Sequence, residues 1–235
     1  MDKQNLIKYI SAFTVGDGGL YQHDKNARSI SNQLAIHKDY IDWRAGILSE
    51  ITEVKTHEFQ PNLPNRKPQI HTSTRTHPIY TSVRNRMYIE NKKVVDPHYL
   101  KMLDRECLAI LFQDDGSCVN RSKESAGAAP KVSIATDNFS YADNWLLKKA
   151  LKEKLDLEFN VQRSTKKTGQ VYWHIRLRAK DYEKFYSGVE QYIQPSFYYK
   201  LVPYDRPLNR KIYDRVMIQS ELTSDSERLA EMTNP

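Results

Sequence analysis

The sequence predicts an α+β protein made of two similar halves, each combining helices with antiparallel strands. Three observations carry this. An apolar helical run ending in Asp and Gly occurs twice, as FTVGDGG (Phe13 to Gly19) and LFQDDGS (Leu111 to Ser117). Each ending is followed by the same succession of strand, helix, strands, helix and lysine, so the chain reads as a degenerate repeat. One strand, VYWHIRLRA, sets Val171, Trp173, Ile175, Leu177 and Ala179 against Tyr172, His174, Arg176 and Arg178. Side chains alternate across a strand, so one face is apolar and the other basic and aromatic, as expected of a sheet with a core face and an open face.

Taken in order, LIKYISAFTVGDGG places Leu6, Ile10 and Phe13 at helical spacing. Gly16, Gly18 and Gly19 stop this helix, because glycine accepts the left-handed conformation of a C-terminal cap. SISNQLAIH (Ser29 to His37) reads as a strand. DYIDWRAGILSEI reads as an amphipathic helix with Ile41, Ala45, Leu48 and Ile51 on its apolar face. EVKTHEF and QIHTSTRT read as strands, and PIYTSVRNRMYIE as a helix whose first turn suits Pro78. NKKVV closes the first half.

The second half repeats this order. MLDRECLAILFQDDGS carries a stripe of Leu103, Cys107, Ile110 and Leu111 and stops at Gly116. KVSIATD (Lys131 to Asp137) reads as a strand, and YADNWLLKKALKEKL as a helix behind a capping box of Ser140 and Asp143. LEFNVQRS and GQVYWHIRLRA are strands, KDYEKFYSGVEQYI is a helix, and FYYKLV closes the half. The separations Asp17 to Lys93 and Asp115 to Lys200 are similar. The halves are assigned to residues 1–95 and 96–219, with a polar tail at 220–235.

Composition narrows the function. The chain has 235 residues, of which 39% are hydrophobic, too many for wholesale disorder. No apolar run is long enough to span a bilayer, and the N-terminus lacks the apolar core of a signal peptide, so no membrane partner is expected. An intracellular setting follows: a bacterial or phage-infected cytoplasm, or an organelle matrix. The two cysteines form no CxxC pair, which excludes a zinc ribbon or finger. There is no P-loop, and the seven histidines form no HNH-type arrangement. The 36 basic against 29 acidic residues, net +7, favour a polyanionic partner. Lys25, Arg28, Arg75, Arg84 and Arg86 in the first half are matched by Arg121, Lys123 and Lys131 in the second. Lys166 and Lys167 sit at a hairpin tip beside Gly169. With Tyr172, His174, Arg176 and Arg178 they are the candidate DNA contacts, with phosphates positioning the duplex and base edges specifying it.

Two helices packed together would bring Asp17 and Asp115 to one place. Ser11, Ala12, Gly16 and Ala109 are small enough to permit close contact. Facing carboxylates repel and shift each other's pKa. A hard cation such as Mg²⁺ relieves that repulsion and prefers oxygen ligands. Metal beside a basic nucleic-acid surface points to metal-assisted phosphodiester cleavage, with Lys93 and Lys200 stabilising developing negative charge.

At this point the chain resembles a single-chain LAGLIDADG homing endonuclease. Ile10 to Gly18 (ISAFTVGDG) and Leu108 to Gly116 (LAILFQDDG) lie on the nine-residue signature. The resemblance implies two pseudo-symmetric αββαββα halves, signature helices packed at their interface, and antiparallel sheets forming a DNA-binding saddle. It implies a monomer that hydrolyses both strands of a long double-stranded DNA target. Divalent metal, Mg²⁺ with Mn²⁺ as a substitute, would be held by Asp17 and Asp115 with help from the carbonyls of Gly16 and Asp114. The usual role in the family is spreading a mobile intron or intein. No splicing residues frame this chain, so a free-standing or intron-encoded enzyme is expected. Val15 replaces a common acid of the signature, and Ile110 a common glycine. The Gln that often positions water at the end of an early strand is not evident, and His37 and Asp137 stand nearest to that role. Lys92 and Lys93 compete for one active-site position. The alternative is a group I intron maturase of the same fold, with host intron RNA as partner.

Overall fold

The computed structural model describes residues 1–62, 66–119, 130–166 and 168–201. Arg121, Lys123, Lys167 and the 220–235 tail lie outside them. The first half runs α1 (Lys3–Val15), β1 (Gly19–His23), β2 (Asn26–Leu34), α2 (Lys38–Ser49), β3 (Val54–Phe59), β4 (Gln69–Thr74) and α3 (Pro78–Met87). A small hairpin, β5 (Tyr88–Ile89) with β6 (Lys92–Lys93), and α4 (Pro97–Met102) lead into the second half. That half runs α5 (Arg105–Asp115), β7 (Gly116–Val119), β8 (Lys131–Ile134), α6 (Tyr141–Leu155), β9 (Phe159–Thr165), β10 (Val171–Leu177), α7 (Tyr182–Val189) and α8 (Tyr198–Leu201).

The two sheets have the same architecture. Their strand orders are β1-β2-β4-β3 and β7-β8-β10-β9, and every pairing is antiparallel. Each is the αββαββα unit, run through twice. The helices cover one face of each sheet. On β2, Ala27, Ser29, Ser31 and Gln33 turn inward while Asn32 is exposed. On β10, Ile175 and Leu177 are buried and Tyr172, His174 and Arg176 remain partly open, as the alternation requires. The helix-covered faces merge into one hydrophobic core containing Phe13, Tyr40, Tyr80, Tyr99, Phe112, Phe159 and Phe185.

Helices α1 and α5 pack against each other between the sheets, with Ser11, Ala12 and Ala109 wholly buried. Lys8 at 2.9 Å from Asp104 and 3.0 Å from Glu106, with the Tyr9 hydroxyl donating to Glu106, pins their N-terminal ends. Ser140 and Asp143 form the expected capping box on α6.

Four local expectations are corrected. Gly16 and Gly116 end their helices at φ −80° and −83°, outside the left-handed region. At Gly16 the requirement is size, since a Cβ would run into the Asp114 carboxylate. The strand expected over Ser29 to His37 stops at Leu34, and Ala35–His37 forms a 3₁₀ turn that feeds α2. The strand expected over Lys131 to Asp137 likewise stops at Ile134. The buried stripe of α2 is Tyr40, Ile41, Arg44, Ile47 and Leu48, with Ala45 at its edge. A buried arginine inside that stripe displaced the apolar pattern.

Candidate active site and nucleic-acid interface

Both signature helices end at the same place. Asp17 follows the Gly16 cap of α1, and Asp115 is the last residue of α5. Together they line a small pocket of about 110 Å³ with Gly16, Lys93, Thr136 and Asn138. A larger cleft of about 670 Å³ adjoins it, lined by Asp17, Tyr21, Arg84, Tyr88, Lys92, Lys93 and Asn138 among others. The sequence-derived juxtaposition of the two acids is therefore present.

The two lysines occupy matching positions. Lys93 Nζ donates to the Gly16 carbonyl at 2.9 Å and the Gly18 carbonyl at 2.7 Å. Lys200 Nζ donates to the Gln113 carbonyl at 2.5 Å and lies 3.4 Å from the Asp114 carbonyl. Each ammonium thus sits on the backbone at the end of its own half's signature helix, where the helix dipole favours a cation. Lys92 is exposed and belongs to the wall of the larger cleft, so Lys93 holds the inner position.

Burial dominates the electrostatics, and crowding of like charge adds to it at the acids. Burial raises the Asp115 carboxyl to about 8, with Asp17 and Asp114 adding to it against the pull of Lys93 and Lys200. Burial and the neighbouring Asp114 raise Asp17 to about 6, although its outer side faces solvent. Burial lowers both Lys93 and Lys200.

This donor set fits a hard divalent cation. Mg²⁺ binds through one or two carboxylates plus water and substrate phosphate rather than an all-protein cage. Among the described residues no group of three or more His, Cys, Asp or Glu side chains is gathered to hold a metal unaided. Two carboxylates at the mouth of a pocket leave coordination positions to water and substrate. The carbonyls of Gly16 and Asp114 each have a second lone pair beyond the lysine contact.

The water-positioning candidates lie differently. His37 is buried, stacked on Phe197 at 3.8 Å, with Nδ1 facing the Ser196 hydroxyl at 3.2 Å. Burial lowers it to about 4, and it does not line the pocket of the acids. Asp137 is exposed in a turn, and its neighbour Asn138 lines both cavities. Sequence reasoning missed Gln33. It is buried one residue before the end of β2, and its Nε2 donates to Asp114 Oδ1 at 3.0 Å. The available signal was a Gln at the last inward position of an alternating strand.

The open face of the second sheet carries Lys131, Tyr172, His174 and Arg176, with Arg176 donating to Ser133. Lys166 stands at the β9–β10 turn over the Tyr172 ring. In the first half, Arg28 and Arg75 share a cleft with His23 and Lys55. Lys25 is at the exposed β1–β2 turn, and Arg84 reaches Asn91 at the larger cleft. Arg86 is paired with Asp96 at 3.0 Å and Arg178 with Glu158 at 2.6 Å, so both guanidinium groups are engaged within the protein.

Comparison with known proteins matches this arrangement. The sequence profile of the LAGLIDADG DNA endonuclease family matches residues 14–185, and the chain belongs to that family. A solved structure of the homing endonuclease I-WcaI bound to its DNA recognition sequence is similar at a TM-score of 0.70. It is 20% identical and covers 86% of this chain and 87% of that one, which establishes the shared fold. Protein RecA of Mycolicibacterium flavescens is 25% identical over 197 residues, 80% of this chain and 44% of that protein. The chain thus spans less than half the length of the first curated relatives it matches. Cytochrome b mRNA maturase bI2 of Debaryomyces hansenii is 24% identical over 212 residues, 87% of this chain and 76% of that protein.

The tight fit at Gly16 is testable. Gly16→Ala is expected to destabilise the protein by about 1–3 kcal/mol, because the added methyl must displace Asp114 from a packed interface. Denaturant titration reads this directly, and an unchanged midpoint with unchanged slope would contradict the close approach.

Proposed function

We propose that this protein is a site-specific, Mg²⁺-dependent double-strand DNA endonuclease acting as a monomer, with its two halves divided near residues 95 and 96. The observation that carries this reading is the pocket shared by Asp17 and Asp115 at the junction of two antiparallel sheets with basic and aromatic open faces. Asp17 and Asp115, with the Gly16 and Asp114 carbonyls, would hold the metal. When bound, the metal supplies Lewis-acid stabilisation of phosphate charge and a more acidic water. Lys93 and Lys200 fix the carbonyls beside the acids and place positive charge where the phosphate becomes more negative. Asn138, which lines the pocket of the acids, is better placed than His37 to orient water there, while Gln33 holds the Asp114 carboxylate. Lys25, Arg28, Lys131, Lys166, Tyr172, His174 and Arg176 would grip the duplex, while Arg75 is tied to Glu53 at 2.6 Å.

The reading is tested by incubating the protein and Mg²⁺ with a plasmid library of randomised inserts. Site-specific double-strand breaks are expected. The maturase relative motivates a second arm, binding to the host intron RNA. RNA binding without any DNA cleavage would replace the endonuclease by a maturase. Affinity for duplex DNA is further expected to fall with salt at a log–log slope of about −0.9 per phosphate contacted. Filter binding across a salt series measures this, and a flat response would remove the saddle.

A further inference from the structure

Arg44 is 1% exposed, and none of its three guanidinium nitrogens has a hydrogen-bond partner among the described residues. Its guanidinium lies 4.5 Å from the centre of the Phe13 ring, and a Cβ on Gly18 would run into Nη2. On the other side of Asp17, the Asp114 carboxylate fills the space that Gly16 leaves. Asp114 Oδ2 accepts the backbone N–H of Asp17 at 3.1 Å, and Oδ1 accepts from Gln33. Asp17 is therefore flanked by two glycines. One makes room for a buried cation and the other for an anion from the opposite half.

The internal repeat shows that both charges are departures. Helix α2 buries Tyr40, Ile41, Arg44, Ile47 and Leu48, and α6 buries Asp143, Asn144, Leu147, Ala150 and Leu151 at the same spacing. The counterpart of Arg44 is thus Leu147. Asp114 stands immediately before Asp115, where the first half has Gly16 before Asp17. Each half has exchanged a neutral residue for a charge, with opposite signs, at one location. A charge in a core is costly unless an opposite charge answers it. Burial raises the Asp114 carboxyl, and Arg44 is the strongest influence opposing that rise.

We propose that Arg44 and Asp114, which make no direct ion pair in this structure, compensate each other's buried charge through space across the interface between the halves, and that these two charges on either side of Asp17 position it while Asp115 is not flanked in this way. The pairing stands on its own. The positioning rests on Asp17 being a metal carboxylate.

The test imports each half's residue into the other, as Arg44→Leu, Asp114→Gly and the double variant. Each single variant is expected to lower Tm by about 10 °C, since it leaves one buried charge unanswered. The double variant should recover at least half of the summed loss, and additive losses would overturn the pairing. If Asp114→Gly does not fold, Asp114→Asn replaces it in the cycle and the same recovery is required. The double variant, assayed well below its Tm, is expected to cleave about tenfold more slowly at unchanged KM. It should also bind Mn²⁺ alone more weakly by calorimetry. Wild-type kcat and Mn²⁺ affinity would overturn the positioning. Asp114→Asn keeps an oxygen for the Asp17 N–H and should retain more kcat than Asp114→Gly, and equal rates would count against the contact. Cleavage by Asp17→Asn would instead refute the metal reading, and the stability cycle would still decide the pairing.

Discussion

Asp17→Asn and Asp115→Asn are each expected to reduce DNA cleavage by about a thousandfold or more while leaving binding within a fewfold of wild type. Asn matches Asp in shape and keeps one oxygen, so packing at the helix ends should survive. What is lost is the negative charge proposed to hold a divalent cation. Both acids line one pocket, and the other described groups facing it are Lys93, backbone and neutral side chains, so no neighbouring carboxylate can substitute. Asp114 lies close by, but its two oxygens are engaged by the Asp17 N–H and Gln33. Binding should persist because Tyr172, His174 and Arg176 lie on the open sheet face. Single-turnover cleavage and filter binding on one target measure the two quantities separately. Cleavage that survives either substitution would remove that acid from the site. Loss of binding in parallel would show that the acids shape the saddle rather than the chemistry.

The doubled fold was legible because the repeat is written at three levels: helix stripe, helix-ending Asp–Gly and closing lysine. The parts that were not legible have local physical reasons. Strands β1 and β7 are short segments directly after the helix ends, and only Leu20 in GLYQH is a buried large apolar residue. Nothing in GSCV separates a strand from a loop. The helix expected over PIYTSVRNRMYIE stops at Met87, because the β5–β6 hairpin that follows turns through Glu90 and Asn91, both at positive φ. At the site, the two acids and Lys200 followed from the repeat. Lys93 could not be separated from Lys92 until the hairpin set their sidedness. Gln33 and Arg44 were missed because their partners, Asp114 and the Asp17 turn, come from elsewhere in the chain. A buried arginine in an amphipathic helix looks like part of the polar face until its neighbours are known.

Raising pH from about 5 to 8 is expected to destabilise the metal-free protein at this site, and Mg²⁺ is expected to reverse the loss. The sign follows from where the protons are held. Asp115 is raised to about 8 in the fold from an ordinary 3.8, so between those values the folded state keeps a proton that the unfolded chain has released. Stability then falls as pH rises through that window and is unaffected below it. Asp17, raised to about 6, adds to the fall over a narrower window. The lowered Lys93 and Lys200 act with the opposite sign, and so does the buried His37, lowered to about 4, between that value and 6.5, so the contribution of the acids is read as the difference between wild type and Asp115→Asn. A loss of about 2 kcal/mol, or roughly 4–8 °C in Tm, is a realistic scale for partly solvated acids. Asp115→Asn should flatten the profile and raise Tm at pH 8 without metal, because it removes the charge that the pocket tolerates least. Bound metal answers the same charge from outside, so saturating Mg²⁺ should stabilise wild type at pH 8 by about 2–3 kcal/mol and Asp115→Asn by much less. Thermal unfolding across pH, with and without Mg²⁺, reads all of these at once. A metal-free profile equally steep in Asp115→Asn would place the titrating group elsewhere. Equal Mg²⁺ stabilisation of both proteins would take the metal away from Asp115, because the buried and crowded Asp115 charge is what a cation there would relieve.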